Sequence, residues 1–236
     1  MQKQILEAEQ KALEINLDTG IYGTFAEIGA GQEVARYFFQ AGAAAGTIAK
    51  TMSAYDKTYS DEIYGVEPSG RYVCESRLYK MLEHEFTLLV DRLGDQRPDT
   101  TFFAFADTVS ATNYSKTIPG DGWLGIRFQK EPHSEPNDLV IHVKMLDKDN
   151  RQQQQAVGML GVNLIYACFF LSDDMDIMLK SLIEGLEGRV MIDMIRLLGP
   201  AYKDIDNRSL SFKLVKLGLS DVAMFDSMGI NIHPSE

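Results

Sequence analysis

The stretch Tyr22–Asp56, YGTFAEIGAGQEVARYFFQAGAAAGTIAKTMSAYD, constrains the fold more than any other part of the chain. Thr24–Ile28 is short and apolar at Phe25, Ala26 and Ile28, as a strand requires. Gly29-Ala30-Gly31 follows, and glycine permits a tight turn and close backbone approach. Val34, Phe38 and Ala41 then fall on one helical stripe that Gly42 stops, and Ile48–Tyr55 reads as the next strand. This order is the outline of a Rossmann-like βαβ unit.

Such a unit carries a functional expectation. A helix starting near Gly31 points its free N–H groups and dipole at whatever sits over the turn, so an anion is expected there. Gly29, Ala30, Gly31 and Gln32 become candidate ligand contacts, and Asp56, closing the second strand, a candidate for a ribose hydroxyl. The pattern departs from G-x-G-x-x-G at Val34, and Asp56 lies further on than the usual spacing of roughly 20 residues. EIGAG also resembles the first motif of class I methyltransferases, with Glu33 in place of the third glycine. A carboxylate at that helix end repels phosphate. The implied ligand is a nucleotide or dinucleotide of unspecified identity.

Composition excludes several classes. The net charge of −11 argues against nucleic acid or an anionic membrane as partner. Two cysteines, Cys74 and Cys168, form neither a disulfide framework nor a C-x-x-C pair. The N-terminus lacks the apolar core of a signal peptide, and the longest apolar run, Val162–Leu171, is short for a membrane span. A reducing, cytoplasmic setting is expected.

Along the remaining chain, Lys3–Ile15 reads as an amphipathic helix and Lys57–Gly70 as an irregular segment carrying Tyr59 and Tyr64. Glu75–Leu93 is the clearest helix, with Leu78, Met81, Leu82, Phe86 and Leu89 on one stripe. Its Glu83, His84 and Glu85 point in different directions and cannot share one ion, so no metal site is expected. Thr101–Val109 reads as a central strand, with Asp107 at the end where open α/β sheets hold ligands. Gly122–Gln129 and Asp138–Leu146 read as an antiparallel pair. After a polar stretch, Asp147–Gln155, the run Ala156–Leu171 reads as a buried helix or a helix followed by a strand. A helix through Met178 and Leu182, a strand over Arg189–Leu197, a helix ending at Leu217 and a short strand over Asp221–Phe225 complete the chain. The tail carries no packing signal, and His233 is expected at the surface.

His142, Lys144 and Asp149 form H-x-K-x-x-x-x-D, which resembles the phospholipase D superfamily signature, where histidine attacks phosphorus and lysine holds phosphate oxygens. His142 and Lys144 share one strand face. The Gly-Ser-x-Asn that accompanies that signature is missing, and the alternation Leu139, Ile141, Val143, Met145 equally makes these two the less buried face.

The strand–glycine–helix–glycine–strand order at Gly29 and Gly42 recurs at Gly199 and Gly218, ending at Asp226, which suggests a pseudo-repeat of two halves. The string GTFAEIGAGQEVARYFFQAGAAAGTIAKTMSAYD, with FFAFADTV, GWLGIRFQ, HVKMLDKDN and LGVNLIY, resembles a largely uncharacterised bacterial family over essentially the whole chain. Its members are often labelled nicotinate-nucleotide adenylyltransferase and sometimes mislabelled TonB-dependent receptor. The second label conflicts with the missing signal peptide and missing alternating barrel strands. The first implies a link to nicotinate mononucleotide metabolism, but the chain contains no Gly-His dipeptide, so no catalytic residue carries over. Members of that family run longer, which would place the labelled chemistry beyond Glu236.

The expectation is an α/β fold with a mixed, mostly parallel sheet and helices on both faces. It is taken as one domain over 1–236, the alternative being halves 1–100 and 101–236. The expected function is binding of a nucleotide or phosphate ligand at Gly29, Ala30, Gly31, Gln32, Asp56 and Asp107. The competing readings are a non-catalytic, self-associating assembly domain and a phosphodiesterase using His142, Lys144 and Asp149.

Overall fold

The structure, a computed structural model, describes residues 6–233. Helix α1 (Ala8–Leu17) leads into β1 (Ile21–Gly29), α2 (Glu33–Ala41), β2 (Ile48–Met52) and α3 (Lys57–Tyr64). Then come α4 (Glu75–Leu93), β3 (Thr101–Ser110), β4 (Asp121–Phe128), β5 (Asn137–Met145) and α5 (Asn150–Tyr166). The last elements are α6 (Met175–Leu182), β6 (Val190–Leu198) and α7 (Asn207–Lys216). The predicted start of the first helix, Lys3, lies outside the described residues.

The six strands form one sheet in the order β2-β1-β3-β4-β5-β6. Pairing is parallel for β2, β1 and β3 and antiparallel from β3 onward. The mixed sheet is therefore parallel over its first three strands. Because β1 lies between β2 and β3, the chain moves to one side and then the other, which makes the C-terminal end of β1 a topological switch point. The start of β4, the end of β5 and the start of β6 lie along that same sheet edge.

Strand alternation sends two sets of side chains to two faces. Phe25, Phe103, Phe105, Leu124 and Ile141 pack with α1, α2 and α5, while Ala26, Ala106, Trp123, Val140 and Met194 pack with α4. Burial of Phe25, Phe103 and Phe105, each fully enclosed, contributes roughly 1.5–3 kcal/mol apiece. Helix α4 has the predicted bounds because its apolar stripe meets β1, β3 and β4.

Four expectations change. Lys57–Tyr64 is helical rather than irregular, because Asp56 caps it by accepting the Tyr59 amide at 2.8 Å. Tyr64 is buried and donates to Glu85 at 2.9 Å. Residues 221–225 form no strand, only a bridge between Phe225 and Asn231, and β6 runs antiparallel to β5, so the second half does not repeat the first. The helix expected from Ala156 starts at Asn150, where Asp149 caps it, and continues as a π-helical turn over Ala167–Leu171. The apolar helical segment Asn150–Leu171 spans 22 residues, long enough to cross a membrane, yet most of it is buried within the protein as a core helix.

Candidate functional site

The expected anion site at the start of α2 is filled from within. Glu27 sits on β1 with its side chain directed at the helix: its Oε2 accepts the Val34 amide and its Oε1 the Ala35 amide, both at 3.0 Å. These N–H groups were expected to face a ligand. The group that satisfies the first turn of α2 is the protein's own buried Glu27 side chain.

The glycines have structural reasons. A Cβ on Gly29 would lie 2.1 Å from the Val109 carbonyl oxygen, so only glycine lets β1 approach β3 this closely, and its φ is +96°. Gly31 takes φ +99° to turn the chain into α2. Ala30 is buried, and Gln32 donates to Thr51 Oγ1 at 3.2 Å. Asp56 is exposed and caps α3.

Asp107 is fully buried, directly opposite Glu27 in the β1–β3 register. It lies inside the sheet face, not in an open crevice. Its Oδ1 accepts the Ile28 amide at 3.2 Å, and its Oδ2 meets no hydrogen-bond donor among the described residues. Burial and the neighbouring Glu27 push the Asp107 carboxyl well above the usual carboxylate range. Burial likewise raises Glu27 to about 7, against the lowering effect of the Ala35 and Val34 amides.

The cluster with more chemical capacity lies on the opposite sheet face, at the same edge. The β5–β6 register shifts between His142 and Val143, leaving Asp193 as the extra residue of a β-bulge. Bulges re-aim side chains, and here the carboxylate meets three donors. Its Oδ1 lies 2.7 Å from His142 Nδ1, and its Oδ2 lies 3.2 Å from His233 Nε2 and 3.0 Å from Lys144 Nζ. The two imidazoles overlap with ring centroids 3.6 Å apart, and Trp123 closes one side edge-on to both. Asp121 Oδ2 stands 3.7 Å from His142 Nε2.

Charge follows geometry. Burial alone would lower the His142 pKa, but Asp121 and Asp193 outweigh it and the net shift is upward. Burial would raise Asp193, yet hydrogen bonds from His142 and His233, the His142 charge and Lys144 hold it well below the usual carboxylate range.

The structure thus joins His142 and Lys144 but replaces Asp149 by Asp193, since Asp149 caps α5 through the Arg151 and Gln152 amides. His233 is buried, not exposed. The segment carrying it is fixed by Asn231, whose side-chain amide donates to the Ile195 carbonyl at 3.1 Å and the Asn207 carbonyl at 3.2 Å. His142, Asp193 and His233 also bring three ligand atoms within 4.8 Å of one another, so a set able to hold a metal exists where none was expected. Sequence spacing missed it because its members come from β5, β6 and the tail.

No family model and no curated protein matches the chain. Among solved structures, the chain is similar to the competence/damage-inducible protein CihA from Agrobacterium tumefaciens, with 16% identity and a TM-score of 0.47, over 71% of this chain and 98% of that one. It is also similar to a CinA superfamily protein from Enterobacter cloacae, with 13% identity and a TM-score of 0.48, over 71% of this chain and 95% of that one. A third is the competence damage-inducible protein A from Klebsiella pneumoniae, with 12% identity and a TM-score of 0.47, over 68% of this chain and 96% of that one. At these identities the likeness concerns the arrangement of elements and carries nothing about a site.

Proposed function

We propose that this protein binds a small phosphate-bearing ligand of the nucleotide class at the His142 edge of the sheet rather than at the Gly29–Gly31 turn. The observation that carries this reading is the bulge at Asp193. It fixes His142 through Nδ1 and leaves Nε2 turned toward the half-exposed Asp121 at the rim. Lys144, on the same strand face and half-exposed, supplies the ammonium that would hold phosphate oxygens. A histidine oriented by a carboxylate and set beside a lysine is equipped to exchange a proton with a phosphate oxygen. The resemblance noted in the sequence makes nicotinate mononucleotide the first ligand to try.

Calorimetric titration with nicotinate mononucleotide, other mononucleotides and inorganic phosphate tests this. Lys144→Ala should weaken binding by about tenfold or more, the loss of one charge-assisted contact, while Gly31→Ala should leave it unchanged. Equal affinity for Lys144→Ala and the wild type would remove the proposal.

A second reading, self-association, is favoured by one observation. The segment after α7 exposes Val222, Met224, Met228, Ile230 and Ile232, beside an exposed Phe212 whose ring lies 5.5 Å from that of Phe225. Exposed apolar groups gathered in this way mark protein contacts. Light scattering of the wild type and of Met228→Lys decides it: a dimer that dissociates in the variant supports this reading, and a monomeric wild type ends it.

A further inference from the structure

We infer that His142, Asp193 and His233 form a binding site for a divalent transition-metal ion of the zinc class. This goes beyond the phosphate reading and does not depend on it. Two imidazoles and one carboxylate are a donor set that holds such ions while leaving positions open to water or substrate. The three ligand atoms already lie within 4.8 Å of one another. In a tetrahedral site with bonds near 2.0 Å, ligand atoms stand about 3.3 Å apart. His142 Nδ1 lies 2.7 Å from Asp193 Oδ1 and His233 Nε2 lies 3.2 Å from Oδ2, so the carboxylate turns on coordination to present one oxygen to an ion shared with both nitrogens.

The surroundings support coordination by particular atoms. His142 turns Nδ1 to Asp193 and Nε2 toward Asp121 at 3.7 Å. Coordination through Nδ1 leaves Nε2–H to be oriented by a carboxylate, the arrangement that supports metal-bound histidines. His233 presents Nε2. Both rings are buried, and Asn231 holds the tail in place, so the three ligand residues are gathered before an ion arrives. Lys144 is the competitor: its ammonium occupies Asp193 Oδ2 at 3.0 Å, where the ion would bind. Being half-exposed, Lys144 can swing to solvent as the ion enters, which frees it for an anionic ligand.

The test uses the full chain and metal alone. Zinc affinity is measured by competition with a chromophoric chelator, and cobalt binding by its visible absorption. The wild type should take up one zinc ion per chain. His233→Ala and Asp193→Asn should each weaken zinc binding by about tenfold or more and change the cobalt spectrum. Lys144→Met, which removes the competing ammonium, should tighten zinc binding severalfold, an effect that a purely structural charge network does not predict. No stoichiometric uptake by the wild type overturns the inference, as does zinc binding unaffected by His233→Ala and Asp193→Asn. Should those variants fail to fold, Lys144→Met decides: tighter binding supports the site, and unchanged or weaker binding rejects it.

Discussion

Glu27 and Asp107 stand directly opposite each other across the parallel β1–β3 pair, both buried on the face covered by α2. Glu27 caps the helix and Asp107 accepts a β1 amide, so the two acids occupy the place where a ligand's negative charge was expected. Their pH behaviour follows. The folded Glu27 keeps its proton up to about 7 against an ordinary value of 4.5, and Asp107 shifts in the same direction. The folded state therefore binds more protons than the unfolded state between these values. This contribution to stability is fully present below pH 4.5 and is lost as pH rises through about 7. Denaturant titrations at a series of pH values should show wild type and Glu27→Gln diverging by this trend. A constant difference between them contradicts the assignment.

The turn glycines offer a second check. In Gly29→Ala the new methyl meets the Val109 carbonyl at 2.1 Å with φ at +96°, whereas in Gly31→Ala the nearest approach is the flexible Glu33 carboxylate at 4.0 Å. Gly31→Ala should cost about 1–3 kcal/mol from backbone strain alone. Gly29→Ala should cost clearly more, because strand β3 must move. Equal losses in chemical denaturation would show that strand proximity is not what requires Gly29.

Asp56 provides a third. It caps α3, so its replacement by alanine should lower stability by about 1 kcal/mol and is expected to leave affinity for any nucleotide unchanged. A loss of affinity with stability intact would restore the ribose role expected from sequence.

These variants also mark what could be read in the chain. The βαβ order, the α4 stripe and the β4–β5 pairing were legible because local periodicity and turn chemistry decide them. Glu27 left a signal that spacing rules do not weigh: a lone carboxylate inside the apolar run before Gly29, on the same strand face as Phe25. Asp193 left a similar one, the lone carboxylate inside Val190–Leu198. What could not be read was the bulge that turns Asp193 toward His142, since it arises from β5–β6 register. The burial of His233 was hidden for a related reason: Asn231 fixes the tail through contacts remote in sequence.

The proposed function assigns ligand chemistry to the His142 edge and not to the Gly29–Gly31 turn. Amide and histidine NMR spectra recorded during titration with nicotinate mononucleotide or inorganic phosphate test this most directly. Shifts centred on His142, Lys144 and Asp193 are expected, with Gly29–Gln32 unmoved. Shifts centred on Gly29–Gln32, or no shift anywhere at saturating millimolar ligand, would contradict it.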